Sequence, residues 1–298
     1  MEFKAKDKRL EGKTILRQCQ LVQVYILDVI VEICEKYKIN YFLNYGTLIG
    51  ALRHGGFIPW DDDLDICMLK EDYDKFLSVA ERELPENLTL LTPDNYGWHY
   101  ESVSRVVDRC SFFCFPYTKI DYPSGIFVDI IPFVKYPLLP RKFSRWLAHS
   151  LSTSWHAVIV HRGLVHHSVA GIFVSGVKAC VWKAIYISLK AIEKFCLLFF
   201  KTCWRPLPEN FVYDERGYAL DDIYPLRKHE FEGKQYNIPN KAESMLAVCY
   251  GDWRTPPPDA DKGVHHPVGL ICPTRAPFAK WSRPYNDSMS GTVAQQCK

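Results

Sequence analysis

The chain changes its hydrophobic period repeatedly over its first half, and that alternation limits the folds open to it. From Lys13 to Tyr37 the apolar residues Ile15, Leu16, Cys19, Val22, Ile26, Val29, Ile30 and Ile33 recur at helical spacing ahead of the polar break KYKIN. This predicts a long amphipathic helix that serves as scaffold. Short β-favouring runs follow at Tyr41 to Leu43, Asp61 to Leu69, Ser102 to Val107 and Ser111 to Phe115, and most clearly in GIFVDIIPF from Gly125 to Phe133. Between them, a short helix is expected from Gly46 to His54, closed by Gly55-Gly56, and a second over KEDYDKFLSVAEREL, opened by Glu71 and Asp72. Helices alternating with strands predict the α/β (α+β) class, a mixed sheet flanked by helices.

The character changes after Pro137 and Pro140. From Arg141 to Trp204 the only acid is Glu193, and the rest is apolar, aromatic and basic. Lys183, Lys190, Lys194 and Lys201 fall close together on a helical wheel. Two readings stay open: a helical insert packed on the catalytic core, or an interfacial helix within 178–204 lying on an anionic membrane with its lysines at the headgroups. A full span is not expected, because lysines interrupt each apolar run before the roughly 18 residues a crossing needs. The expected division is therefore a core at 1–137, a cationic apolar insert at 138–205, a loop-rich part at 206–270 and a disordered tail at 271–298.

Charge and cysteine content narrow the function classes. The 298 residues carry a formal net charge of +3, from 37 basic and 34 acidic side chains. That balance, without a long Lys/Arg run, excludes nucleic acid as an expected partner. The eleven cysteines are scattered, with no CxxC pair, which reads as reduced core thiols in a cytosol-facing chain. The opening MEFKAKDKRLEGK is polar and lacks the apolar core of a signal peptide. A cytoplasmic location follows, peripheral on the inner face of the membrane under the second reading of the insert; a Golgi lumen stays open for a eukaryotic source.

Chemistry is concentrated in YGTLIGALRHGGFIPWDDDLDI, Tyr45 to Ile66. On a strand, Asp61, Asp63 and Asp65 would share one face, leaving Asp62 to point away with Leu64 and Ile66. Three carboxylates on one face call for a cation, and oxygen donors suit Mg²⁺, with Mn²⁺ as the alternative. A solvated acidic turn or a weak Ca²⁺ loop accounts for the aspartates alone. Gly46 and Thr47 shift that balance, since a glycine turn and a hydroxyl at a helix start make a phosphate seat. A metal row beside a phosphate seat is the pattern of metal-assisted phosphoryl transfer. Asp129, alone in an apolar run, is the expected third acid; an ion pair with Arg or Lys is the competing account.

The same stretch resembles the signature of the LicD family, phosphocholine-type transferases that include the fukutin-related proteins. The resemblance extends through SRVVDRC, GIFVDIIPF, FEGKQYNIPNKAESML and YGDWRTPPPDADKGVHH, covering residues 12 to 267. It implies a nucleotidyltransferase-like fold, and transfer of a phosphorylated alcohol from a CDP-linked donor to a sugar hydroxyl of a surface glycan. Carried over by position, Gly46 and Thr47 would hold the donor phosphates, with Arg53 and Arg105 as further phosphate contacts. Asp63, Asp65 and Asp129 would bind Mg²⁺, Asp129 alternatively taking the acceptor proton, and Asp61 would be an outer acid. His265 and His266 match a family His pair to which no role is assigned. Two other functions stay open: nucleoside monophosphate transfer from an NTP, and a non-catalytic glycan-binding relative. The latter predicts a damaged acid set, and all three acids are present.

Overall fold

A computed structural model describes residues 2–92, 103–113, 125–163, 169–207, 217–258 and 271–272. The first element is helix α1, Ile15–Tyr37, capped by the Thr14 hydroxyl, which accepts from the Arg17 N–H at 3.1 Å. It ends on Lys38 in the left-handed region, whose N–H bonds the Cys34 carbonyl. Strand β1, Phe42–Leu43, leads into α2, Tyr45–His54, which stops at Gly55 with φ of 67°. Then come β2 (Asp65–Leu69), α3 (Lys70–Glu83), β3 (Leu88–Leu91), β4 (Ser104–Asp108), β5 (Phe112–Phe113) and β6 (Phe127–Pro137). Apart from β3, which the hydrophobic pattern does not single out, these elements fall within a few residues of their expected places.

The central sheet has the order β1-β2-β6-β4-β3. Strands β2 and β6 run parallel, joined by the long crossover through α3, and the other pairs are antiparallel, so the sheet is mixed. Helix α1 covers one face: Val22, Ile26, Val29, Ile30 and Ile33 are fully buried and pack with Ile66, Val106 and Val128 of the sheet. Its 3.6-residue stripe is what makes this burial possible, and most of the helix's stability comes from that packing.

Beyond β6 the chain forms two long helices, α4 (Arg141–Gly163) and α5 (Val169–Phe199), before β7 (Thr202–Pro206) returns to the sheet. Strand β7 pairs with β6 from Phe133 to Pro137, so the expected insert boundary at 205 falls inside a strand of the central sheet. The 28-residue portion Ile172–Phe199 is long and apolar enough to cross a membrane, against the expectation that its lysines would break it. The lysines are spaced widely enough that the average hydropathy survives them.

The part after 206, expected to be loop-rich, carries α6 (Leu220–Ile223), the hairpin β8 (Arg227–Phe231) with β9 (Lys234–Ile238), and α7 (Ala242–Tyr250). The hairpin turns on Glu232 and Gly233, with φ of 52° and 75°, the paired positive values of a tight two-residue turn. Ile271–Cys272, the start of the tail expected to be disordered, form β10 against β5. The cysteines Cys19, Cys34, Cys67, Cys196 and Cys203 are buried thiols outside any disulfide.

Candidate active site

The strand of the acidic stretch is shorter than the residue alternation suggests, and this reorders its carboxylates. Strand β2 begins at Asp65, so Asp61 to Leu64 belong to a loop held by side chains of α1. The Gln20 amide donates to the Asp61 carbonyl at 2.9 Å, and the Gln23 amide to the Asp62 carbonyl at 2.7 Å. Asp62 is fully buried, as Leu64 and Ile66 are, and Asp61 is nearly so. Asp63 and Asp65 are half-buried. One carboxylate oxygen from each of Asp61, Asp62 and Asp63 lies within 4.8 Å of the others, an all-oxygen donor set that fits a hard divalent cation.

Asp65 connects this cluster to the sheet. Its backbone N–H donates to the Thr47 hydroxyl at 2.8 Å, so Thr47, itself buried, joins the start of α2 to the start of β2. Gly46 beside it is required by a close approach, because a Cβ there would lie 2.8 Å from Asp61 Oδ2. The space over Gly46, expected to seat a phosphate, thus holds the Asp61 carboxylate against the first turn of α2, where the helix dipole favours a negative group.

Across the sheet, Asp65 is in register with Asp129 of β6, and Asp129 with Arg105 of β4. Neighbours in register share a face, so the three form one row. The Arg105 guanidinium grips Asp129 with two bonds, Nε to Oδ1 and Nη2 to Oδ2, the latter at 2.9 Å. It also stacks over the Phe127 ring at 3.9 Å. The ion-pair account of Asp129 is therefore what the structure displays, and Arg105, expected at a phosphate, is its partner.

Arg53 is placed differently from the acids. Its Nη1 donates to the Trp253 carbonyl at 2.9 Å, which ties α2 to the chain just beyond α7. His265 and His266 lie outside the described residues. Several residues of the site were not singled out from the sequence. Gln20 and Gln23 were legible only as polar interruptions of an apolar helix face. Tyr250, the last residue of α7, stands by the aspartates and is half exposed: partial desolvation, then the charges of Asp65, Cys249, Asp63 and Asp61, raise its phenol pKa, so it stays a neutral donor. Burial, and then Asp62 and Asp63, likewise raise the Cys19 thiol, which remains protonated.

The β8–β9 hairpin braces the loop from behind. The Glu232 carboxylate accepts from the Phe57 N–H at 3.1 Å and pairs with Arg17 at 2.5 Å, while the Glu232 N–H donates to the Gly55 carbonyl at 2.9 Å. The segments FEGKQY and YGDWR thus act on the acidic loop from far along the chain: the first fixes its entry, and the second supplies Tyr250 and the anchor for Arg53.

The chain is similar to several known proteins. Residues 38–175 match the LicD/FKTN/FKRP nucleotidyltransferase domain. The lipopolysaccharide cholinephosphotransferase LicD of Haemophilus influenzae is 31% identical over 278 residues, covering 85% of this chain and 97% of that protein. An uncharacterized protein of Rickettsia prowazekii, RP689, is 29% identical over 185 residues, 51% of this chain and 64% of its own length. The human ribitol 5-phosphate transferase FKRP is 44% identical over 43 residues, 14% of this chain and 9% of that protein.

Proposed function

The chain belongs to the LicD family, and from that premise we propose that it moves a phosphorylated alcohol, phosphocholine or a close analogue, from a CDP-linked donor to a sugar hydroxyl of a surface glycan. It is a phosphotransferase of the LicD type. The carrying observation is the carboxylate group of Asp61, Asp62 and Asp63, set beside Asp65 and Asp129 at one end of the sheet, in a chain similar along nearly the whole length of a cholinephosphotransferase.

The division of labour follows from access. Asp63 and Asp65 are the half-buried acids and would meet Mg²⁺ or Mn²⁺ together with the donor pyrophosphate, while the buried Asp61 and Asp62 complete the donor set. A divalent cation there supplies charge neutralisation for in-line displacement at phosphorus. Gln20, Gln23 and Thr47 fix the backbone that carries these acids, so little reorganisation is left for the moment of reaction. Asp129, clasped by Arg105, holds the third acidic position next to Asp65 and would turn to the acceptor hydroxyl or the cation when substrates arrive. The neutral Tyr250 phenol is suited to donate a hydrogen bond to a phosphate oxygen.

The test is a product assay with a glycan acceptor, Mg²⁺ and either CDP-choline or CTP. Release of CMP with phosphocholine on the glycan is expected. Pyrophosphate released from CTP, with a nucleotide left on the acceptor, would replace this reading with nucleoside monophosphate transfer. Inactivity with a panel of CDP-alcohols, alongside retained glycan binding, would favour a non-catalytic role.

A further inference from the structure

We propose that the α4–α5 hairpin lies flat on an anionic phospholipid surface, with the outer face of α5 among the acyl chains and the cations along its edge at the headgroups. This inference does not depend on the phosphotransfer reading. It begins with the division of α5 into two faces. Ser175, Ala179, Leu189, Glu193 and Cys196 are buried, at spacings that keep them in one stripe against α4. The opposite side is as apolar as a core but exposed: Phe173 is 72% accessible, Phe195 62% and Leu198 77%, with Val177, Val181 and Ile185 filling the run between. A continuous apolar stripe along a helix of this length exceeds what a soluble surface normally tolerates.

Charge selects the occupant. The sole acid between 141 and 204, Glu193, is buried and paired with Lys190 at 2.9 Å, so it offers no negative charge outward. Every exposed charged side chain among the described residues there is a cation. Lys183 and Lys194 lie on α5 along one edge of the apolar stripe, and Lys201, just past the helix end, continues their line. Arg141, Lys142 and Arg145 open α4, which lies at the same end as the close of α5 because the Leu138 N–H donates to the Lys201 carbonyl at 2.7 Å. Aromatic rings crowd this end as well: Phe143 stacks on Trp146 at 5.5 Å, and Phe195 meets Phe199 at 4.8 Å. Cations mixed with exposed aromatic rings are the chemistry of the headgroup layer.

The same facts argue for lying rather than spanning, although α5 has the length to span. Both ends of the hairpin return to one sheet, so insertion would drag α4 into the hydrocarbon as well. The exposed side of α4 carries Arg141, Lys142, Arg145, His149 and Thr153 beside Phe143 and Trp146, a mix that suits the interface and not the hydrocarbon. A hairpin with one lipid-facing helix satisfies both faces.

The experiment is sedimentation of the full chain with vesicles of phosphatidylcholine alone or mixed with phosphatidylglycerol. Binding to the mixed vesicles is expected, weakened by salt and released by alkaline carbonate. A variant combining Lys183→Glu, Lys194→Glu and Lys201→Glu should bind at least about 10²-fold more weakly, from roughly fivefold per lysine at an anionic surface. A second variant, Phe173→Ser with Phe195→Ser and Leu198→Ser, should also lose binding, with thermal unfolding unchanged from the parent. No binding to anionic vesicles at low salt would overturn the proposal. So would resistance to carbonate, which means a span, or a dimer abolished by the serine variant, which means a second copy covers the face.

Discussion

The acidic end of the sheet and the outer face of α5 break opposite rules of a folded surface. At the first, carboxylates that water would solvate are packed together and partly buried; at the second, apolar side chains that a core would accept stand in solvent. Each arrangement costs free energy in the isolated chain, and each points to a component from outside the chain that offsets it. For the carboxylates the proposed component is a cation with a phosphorylated donor, and for the apolar face a lipid surface. The two regions also differ in how they are held. The acids sit in a web drawn from α1, α2 and the β8–β9 hairpin, whereas the outer face of α5 is left exposed by the described residues.

The sharpest way to test this contrast is Asp63→Ala. Several kcal/mol of transition-state charge stabilisation are at stake, so turnover should fall by at least about 10³-fold, at about 1.4 kcal/mol per tenfold. Thermal unfolding should hold steady or rise slightly, since removing one of several crowded carboxylates relieves repulsion. CMP release and a melting curve on the same preparation check both halves. A large drop in melting temperature would make the acid structural and dissolve the comparison.

Arg105→Ala acts on the neighbouring row and should show the reverse balance. Arg105 is 6% and Asp129 9% exposed, so the variant leaves a carboxylate buried without its partner, at a cost of about 3–5 kcal/mol in a urea unfolding titration. Arg105→Lys should recover only part of this, because an ammonium cannot bridge both oxygens. A loss below about 1 kcal/mol would mean that Asp129 is solvated in solution, as surface ion pairs are.

What the sequence disclosed follows the same division. Helices α1 and α3 and strand β6 were readable because a long run of one period leaves few alternatives. The start of β2 was not: DDDLDI alternates well enough to pass for a strand, yet its first residues are governed by Gln20 and Gln23, about forty positions earlier. No local pattern announces a side chain that reaches a distant carbonyl. Gly46, Thr47, Asp63, Asp65 and Asp129 could be grouped from the sequence as a metal row beside a phosphate seat, but that Asp61 fills the space over Gly46 could not be read there. The partnership of Arg105 with Asp129 became visible only through register across two strands. The β8–β9 hairpin was hidden by its polar strands, which lie over the loop with only Phe231, Tyr236 and Ile238 buried.

Gln23→Leu probes that long-range support with a smaller expected effect. The side chain is fully buried and its amide donates to the Asp62 carbonyl, so leaving that carbonyl to the long contact from the Cys19 thiol at 3.9 Å should cost about 1–3 kcal/mol. If the glutamine acts by positioning, the metal concentration needed for half-maximal turnover should also rise, a change that a purely structural residue would not produce. An unchanged metal requirement beside the lost stability would assign Gln23 to folding alone.

The smallest effect on stability, and the most telling for α5, is expected from Ile187→Gln. Ile187 is 56% exposed, while Leu189, two positions on, is 7% exposed and faces α4. In water the exposed isoleucine has little burial to lose, so unfolding in denaturant should shift by less than about 0.5 kcal/mol. On anionic vesicles the same change replaces an apolar group in the acyl layer with an amide, and partition should weaken several-fold. The pair of measurements separates a helix face that awaits lipid from one that is merely tolerated. If Ile187→Gln destabilises the free protein as a core substitution would, α5 is already covered in solution, and the contrast between the two regions fails at that residue.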